Sequence, residues 1–163
     1  MRALRRPRSH LVGVAVLAGG LLVAATGRAS APAGRYKIAA GVVYDTKTNL
    51  TWQQAISADL YTQVEAVSYC KALQLNGAPW RLPTMREILT IVDLSVAPPG
   101  PTIDTTAFPD TPGQFFWSST LYSGTPGSAW SAHFYYGFAY GNMMSDSSYA
   151  RCVYSGRPAE LPP

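Results

Sequence analysis

The sequence predicts an α+β domain in which two short helices pack on small antiparallel sheets with long loops. Two Thr-x-x-Glu boxes, Thr62 with Glu65 and Thr84 with Glu87, each set a hydroxyl and a carboxylate against the orphan N–H groups that open a helix. The turn-rich run Asp45-Thr46-Lys47-Thr48-Asn49 separates two short strand-like segments. After residue 128, three segments of strand character are broken by Tyr136-Gly137 and Asp146-Ser147-Ser148, as in an antiparallel meander.

Residues 1–31 read as a secretory signal peptide. Arg2, Arg5, Arg6 and Arg8 form a positive start, an apolar stretch runs over residues 11–26, and small residues follow at Gly27, Ala29, Ala31 and Ala33. Cleavage is expected after Ala29, because a cut at Ala31 would leave Pro32 directly behind it. An uncleaved anchor is the competing reading, but the stretch is short and broken by Gly13, Gly19 and Gly20. No cysteine precedes Cys70, which excludes a lipoprotein start, and Pro7-Arg8-Ser9 replaces the apolar residue that twin-arginine export wants after Arg5-Arg6.

The leader also carries the basic charge. Arg2, Arg5, Arg6, Arg8 and Arg28 precede Ala29 and no acid does, so of 13 Lys and Arg eight remain against nine acids, a net charge of −1. Nucleic-acid or anionic-membrane binding therefore has no support in the overall pI. The remaining 130 or so residues suffice for about one domain with one core. Residues 32–40 are expected to be linker, 41–155 the domain, and 156–163 a loose Pro-rich tail, with no transmembrane segment after leader cleavage.

Within the domain, residues 41–44 and 50–52 predict a hairpin, and residues 63–73 a helix whose buried face carries Ala66, Cys70 and Leu73, stopped by Asn76-Gly77. A second helix is expected over residues 85–94, burying Ile88, Ile91 and Val92. Residues 95–127 are rich in Pro, Gly, Thr and Ser with one strand-like interruption at 115–119, a loop length more often functional than accidental. Strands are expected at 129–135, 138–144 and 149–154. Cys70 and Cys152 both lie in the exported part, where a pair is expected to oxidise. The bridge would close a loop of about 80 residues, worth roughly 4 kcal/mol in the chain-entropy picture, and the alternative is two buried free thiols.

Several pieces carry a family resemblance: Asp45 to Trp52, the helix around Tyr69-Cys70, Trp80-Arg81-Leu82-Pro83-Thr84 with Glu87, Ile103-Asp104 with Phe108-Pro109, the segment at Trp117, Ala129-Trp130, and Tyr149 with Arg151-Cys152-Val153. Residues 41–154 resemble the C-terminal domain family of the collagen-like adhesin of Legionella, whose members are mostly of unknown function. The resemblance implies a C-type lectin-like fold, with the chain ends meeting in a sheet and long loops on the ligand-facing side. It also implies, for the adhesin itself, binding of sulphated polysaccharides. Polyanions need clustered cations, yet no Lys or Arg lies between Arg86 and Arg151, so a neutral or weakly charged sugar fits better.

Calcium serves sugar-binding C-type lectins through six to eight oxygens, several of them carboxylates. Only Asp104, Asp110 and Asp146 lie between Ser95 and Ala150, and the Glu-Pro-Asn and Trp-Asn-Asp tripeptides of those lectins are absent, so no cofactor is expected. Asp104 reads as a loop cap and Asp146 as a turn residue. The aromatic set Tyr122, Trp130, Tyr135, Tyr136, Phe138, Tyr140 and Tyr149 is the ligand-contact candidate, because ring faces stack on sugar C–H groups while hydroxyls and Asn142 supply hydrogen bonds. Strand alternation puts Trp130, Ala132 and Phe134 on one face, assigned to the core. Tyr122, His133, Tyr135, Tyr136, Tyr140 and Asn142 are the ligand-binding candidates. Core packing by alternate residues is the simpler account of the same aromatics.

No enzyme is expected. His133 is the one histidine after the leader, which excludes a His-rich zinc site, and no Gly-x-Ser-x-Gly elbow supports a serine nucleophile. The Arg81-Leu82-Pro83-Thr84 phrase is also similar to one in formylglycine-generating enzymes, but those need paired reactive cysteines near the C-terminal end, where this chain has only Cys152. Arg81 and Arg151 are candidates to pair with acids beneath the loops. The expected function is an exported, periplasmic or secreted and adhesin-like binding module for an extracellular or envelope carbohydrate. The alternative is an envelope structural or protein-interaction module, whose partner would be an envelope protein.

Overall fold

The computed structural model describes residues 31–161, so the leader expected over 1–31 lies, Ala31 apart, outside the described residues. In chain order the elements are β1 (Tyr36–Ala39), β2 (Val42–Asp45), β3 (Leu50–Gln53), α1 (Gln63–Ala72), α2 (Met85–Leu89), β4 (Phe115–Leu121), β5 (Ser128–His133), β6 (Phe138–Met143) and β7 (Val153–Ser155). They build two antiparallel sheets, one ordered β1-β2-β3-β7 and the other β4-β5-β6. This is the α+β arrangement of two helices and small sheets that the capping boxes and alternating segments predict.

β1 corrects the linker expected over residues 32–40. Ala40 and Gly41 both take positive φ, 47° and 80°, and that mirror-image turn folds β1 back onto β2. An Ala in the left-handed region is sterically disfavoured, so the pair is a weak hairpin signal in sequence. The segment is further held by Arg35, whose Nη2 donates to Asp45 Oδ2 at 2.8 Å and to the Thr90 carbonyl at 2.6 Å. The tail is also tied at its start: Gly156 N–H donates to Asn49 O at 2.8 Å, Thr51 Oγ1 donates to Gly156 O at 2.6 Å, and Pro158 is buried.

Both capping boxes form. Thr62 Oγ1 accepts Glu65 N–H while the Glu65 carboxylate accepts Thr62 N–H, and Thr84 and Glu87 repeat the exchange. The helix stops differ from expectation. α1 ends when Leu73 turns extended, and Asn76-Gly77 instead shape a separate 3₁₀ turn, Leu75–Gly77, whose Leu75 carbonyl accepts Trp80 Nε1–H at 2.7 Å. α2 ends at Leu89, short of 94, because Thr90 Oγ1 donates to Glu87 O at 2.6 Å and the N–H groups of Thr90, Ile91 and Val92 turn to carbonyls three residues back. Residues 149–154 are likewise not one strand: Tyr149 makes a single parallel bridge to Phe116, and only Val153–Ser155 joins a sheet.

Val42 and Val43 are neighbours in β2, point to opposite faces and are both fully buried, so the first sheet is covered on both sides. The Val43 side joins Trp52, Ile88, Ile91, Ile103, Phe108, Phe116 and Phe134 in the larger core. The Val42 side joins Ala66, Trp80, Trp117, Ala129 and the Cys70–Cys152 disulfide in the smaller one. Each fully buried large side chain contributes roughly 1.5–3 kcal/mol of transfer free energy. The Pro-rich stretch before β4 is a wall of the larger core, since Ile103 and Phe108 are fully buried and Thr102 N–H donates to Phe134 O at 2.7 Å.

Candidate functional site

The register of the second sheet sorts its side chains. Phe115, His133 and Phe138 lie opposite one another across β4, β5 and β6, and Trp117, Ser131 and Tyr140 form the next row on the same face. One end of this face is sealed. Trp117 is fully buried, its Nε1–H donates to Tyr61 O at 2.8 Å, and Gln63 at the start of α1 donates to Ser118 O at 3.2 Å. The other end is a ledge of rings in contact with one another: Phe115 meets His133 edge-to-face at 4.2 Å and Tyr140 at 5.5 Å, while Tyr136 stacks on Phe138 at 5.2 Å with planes 19° apart.

Exposure makes the ledge a surface. Tyr136 is 47% exposed, Phe138 47% and Tyr140 40%, whereas His133 and Phe115 are half-buried beneath them. Desolvation lowers the His133 pKa, with its own backbone hydrogen bond opposing. His133 Nδ1 accepts Tyr135 N–H at 3.2 Å, which fixes the ring at the start of the hairpin loop. That loop is tight because Gly137, at φ 79°, lies where a Cβ would meet Leu94 Cδ2 at 2.5 Å.

Phe115 also lines a cleft of about 220 Å³ with Leu60, Gln114, Ser147, Ser148 and Tyr149, so the cleft adjoins the ledge. Tyr149 stacks on the buried Phe116 ring at 5.4 Å and lines a second cleft with Ile56, Ser57, Asp110 and Pro112. Residues 111–145, which supply all of the ledge, contain no Asp, Glu, Lys or Arg. A larger cleft beside Arg35, Asp93 and Asp104 is already committed electrostatically. Arg35 is bound to Asp45, and Asp104 accepts the N–H groups of Ala31, Thr106 and Ala107, the loop cap expected of it.

Of the six expected ligand residues, the fold gathers His133, Tyr135, Tyr136 and Tyr140, with Tyr135 edge-to-face on Tyr136 at 4.5 Å. Tyr122 is not among them. It lies on the opposite face, against Trp130 at 4.7 Å and over Gly141, where it shields the half-buried indole. Asn142 spends an amide hydrogen on Ser131 Oγ at 2.9 Å, farther along the strand. Phe115 is the member that sequence reasoning missed, since only the β4–β5 register places it beside His133.

Two of the motif residues are engaged within the fold. Arg81 grips Glu87 through both carboxylate oxygens, at 2.8 and 2.6 Å, while its main chain bridges Val153. Burial works to raise the Glu87 pKa, but Arg81 and the Thr84 N–H outweigh it and hold the carboxyl below its usual value. Among the described residues no carboxylate lies within salt-bridge distance of Arg151. Fully buried, it donates to the carbonyls of Gln53 and Gln54 and to Thr111 Oγ1, each at 2.7 Å, and lies over Phe108 at 4.7 Å. Burial lowers its pKa, with Asp110 opposing, yet it remains charged at pH 7.

Among the described residues no cluster of three or more His, Cys, Asp or Glu could hold a metal ion, and no helix is long and apolar enough to cross a membrane. No curated protein matches the chain. The family model for the Lcl C-terminal domain matches residues 41–154, the span that holds both helices, the disulfide and the aromatic ledge. This chain therefore belongs to the Lcl C-terminal domain family.

Proposed function

We propose that this chain is an exported, non-enzymatic module that binds a neutral or weakly charged carbohydrate of the cell envelope or its surroundings. The observation that carries the reading is the uncovered aromatic ledge, in which Phe115, His133, Tyr136, Phe138 and Tyr140 touch one another on an uncharged stretch of sheet. Flat rings stack on the C–H faces of a pyranose, and the adjoining cleft offers Gln114, Ser147 and the Tyr149 side chain for hydrogen bonds. Recognition of this kind uses no metal and no cationic cluster.

The test is binding of the chain to a broad glycan array, with calcium and with chelator, alongside Tyr136→Ala. Saturable binding that survives chelation and weakens about three- to tenfold in the variant is the expected result, the range a lost ring stack implies. Silence of folded, disulfide-bonded protein in both conditions would sink the carbohydrate reading and favour an envelope protein as the ligand of the same rings.

A further inference from the structure

Four sheet edges have to be dealt with in this fold, and three are. β1 is four residues long and carries Lys37 with Arg35 beside it. β7 is closed on its outer side by the Arg81–Val153 bridge. β4 is closed by Tyr149, whose carbonyl accepts Trp117 N–H at 2.9 Å and whose N–H donates to Phe115 O at 3.0 Å. The fourth edge, β6, has no strand on its outer side among the described residues.

Exposed edges are ordinarily guarded by charge, proline, a bulge or a covering loop, because free N–H and C=O groups invite another strand. β6 has the sequence Phe-Ala-Tyr-Gly-Asn-Met, with no charge and no proline, and it pairs with β5 over all six residues without a bulge. Phe138, Tyr140 and Met143 are all among its exposed side chains. Met144 N–H donates to Gly127 O at 2.8 Å, which phases the ladder. Alternation then turns the main-chain groups of Tyr140 and Asn142 toward β5 and those of Ala139 and Gly141 outward. The Met143 carbonyl is already occupied by Asp146 N–H at 2.9 Å, so the free stretch centres on Tyr140.

We propose that β6 is a self-association edge, pairing antiparallel about a two-fold axis with β6 of a second copy of this chain. That register sets Ala139 opposite Gly141 of the second copy and Tyr140 opposite its own equivalent, satisfying the outward groups of both strands at once. A second copy is the occupant because it brings an extended strand with the complementary free groups, and because residues 138–143 carry no charge, so two copies meet at this edge without like-charge opposition. The two ledges then become neighbours on one face of a six-stranded sheet, but the pairing stands whether or not the ledge binds a glycan.

Sedimentation velocity on the full chain, from about 1 to 500 µM, reads the equilibrium directly. The expected result is a concentration-dependent shift from monomer to dimer. Tyr140→Lys, which opposes two ammonium groups across the axis, is expected to stay monomeric, and mixing it with Tyr140→Glu to restore a mixed dimer. In the unsubstituted protein, amide exchange at Ala139 and Gly141 is expected to slow about tenfold as dimer accumulates, with no change in β1. A mass that stays monomeric throughout overturns the proposal, and so does a dimer that leaves Ala139 and Gly141 exchange unchanged, whatever the variants do.

Discussion

Two ends of one sheet face meet opposite fates. At one end Trp117 and Ala129 are fully buried under α1 and the Cys70–Cys152 bridge; at the other, Tyr136, Phe138 and Tyr140 stand open. Both ends obey the same alternation and both carry aromatic rings. What separates them is the neighbouring segment. Thr62 starts α1 directly over β4, and Gln63 N–H and side chain reach Met144 O and Ser118 O. No described element covers the Phe115 end. Strand alternation thus sorts an aromatic to a face, and only the tertiary arrangement says whether that face is covered.

Breaking the sealed end should cost most. Replacing Cys70 and Cys152 by Ser frees a loop with a sequence separation of 82, which the chain-entropy picture values at about 4.5 kcal/mol, and denaturant titration of the variant against the oxidised parent measures it. Trp117→Ala comes next, at about 4 kcal/mol for a fully buried indole, whereas Tyr136→Ala on the open end should change stability by no more than about 0.5 kcal/mol. Equal losses at Trp117 and Tyr136 would show that the ledge is core after all and dissolve the contrast.

The smallest effect touches neither end and therefore serves as a baseline. The folded Glu87 pKa lies below its ordinary value of 4.5, so its contribution is complete above that value and is lost as pH falls through the folded pKa. Titrating stability from about pH 6 to pH 3 should give a shallower acid loss in Glu87→Gln than in the parent. An unchanged acid slope would mean that the Arg81 pair adds nothing beyond scaffold geometry.

Much of this fold was legible because its signals are local. Thr62 with Glu65 and Thr84 with Glu87 are three residues apart, and each box works without reference to the rest of the molecule. Features that depended on distant partners were not. β1 hangs on Ala40 adopting a left-handed conformation that only its pairing with β2 makes worthwhile, and α2 stops where Arg35, 55 residues earlier, takes the Thr90 carbonyl. The ledge falls between these cases. His133 and Tyr140 follow from strand alternation and Tyr136 from the turn between their strands, but Phe115 joins them only through the β4–β5 register, and Tyr122 leaves them because Gly141 opens a seat on the other face. Arg151 was expected to face an acid, and a cation held by carbonyls 97 and 98 residues away has no signature along the chain.

Arg151, Cys152 and Val153 are consecutive, yet each is fastened to a different part of the molecule: the end of β3 and Thr111, then α1, then Arg81. A ribosome delivers these three residues after every partner they fasten. Until they arrive, β3 lacks β7, the second of its two sheet neighbours, Cys70 lacks its partner thiol and the Pro-rich wall lacks its cation, so the chain is without its clasp. Closure is then one late event of high contact order, slow by comparison with helix or hairpin formation. The order of emergence thus leaves the polypeptide pliable while it is being made and commits it to its final shape at the finish.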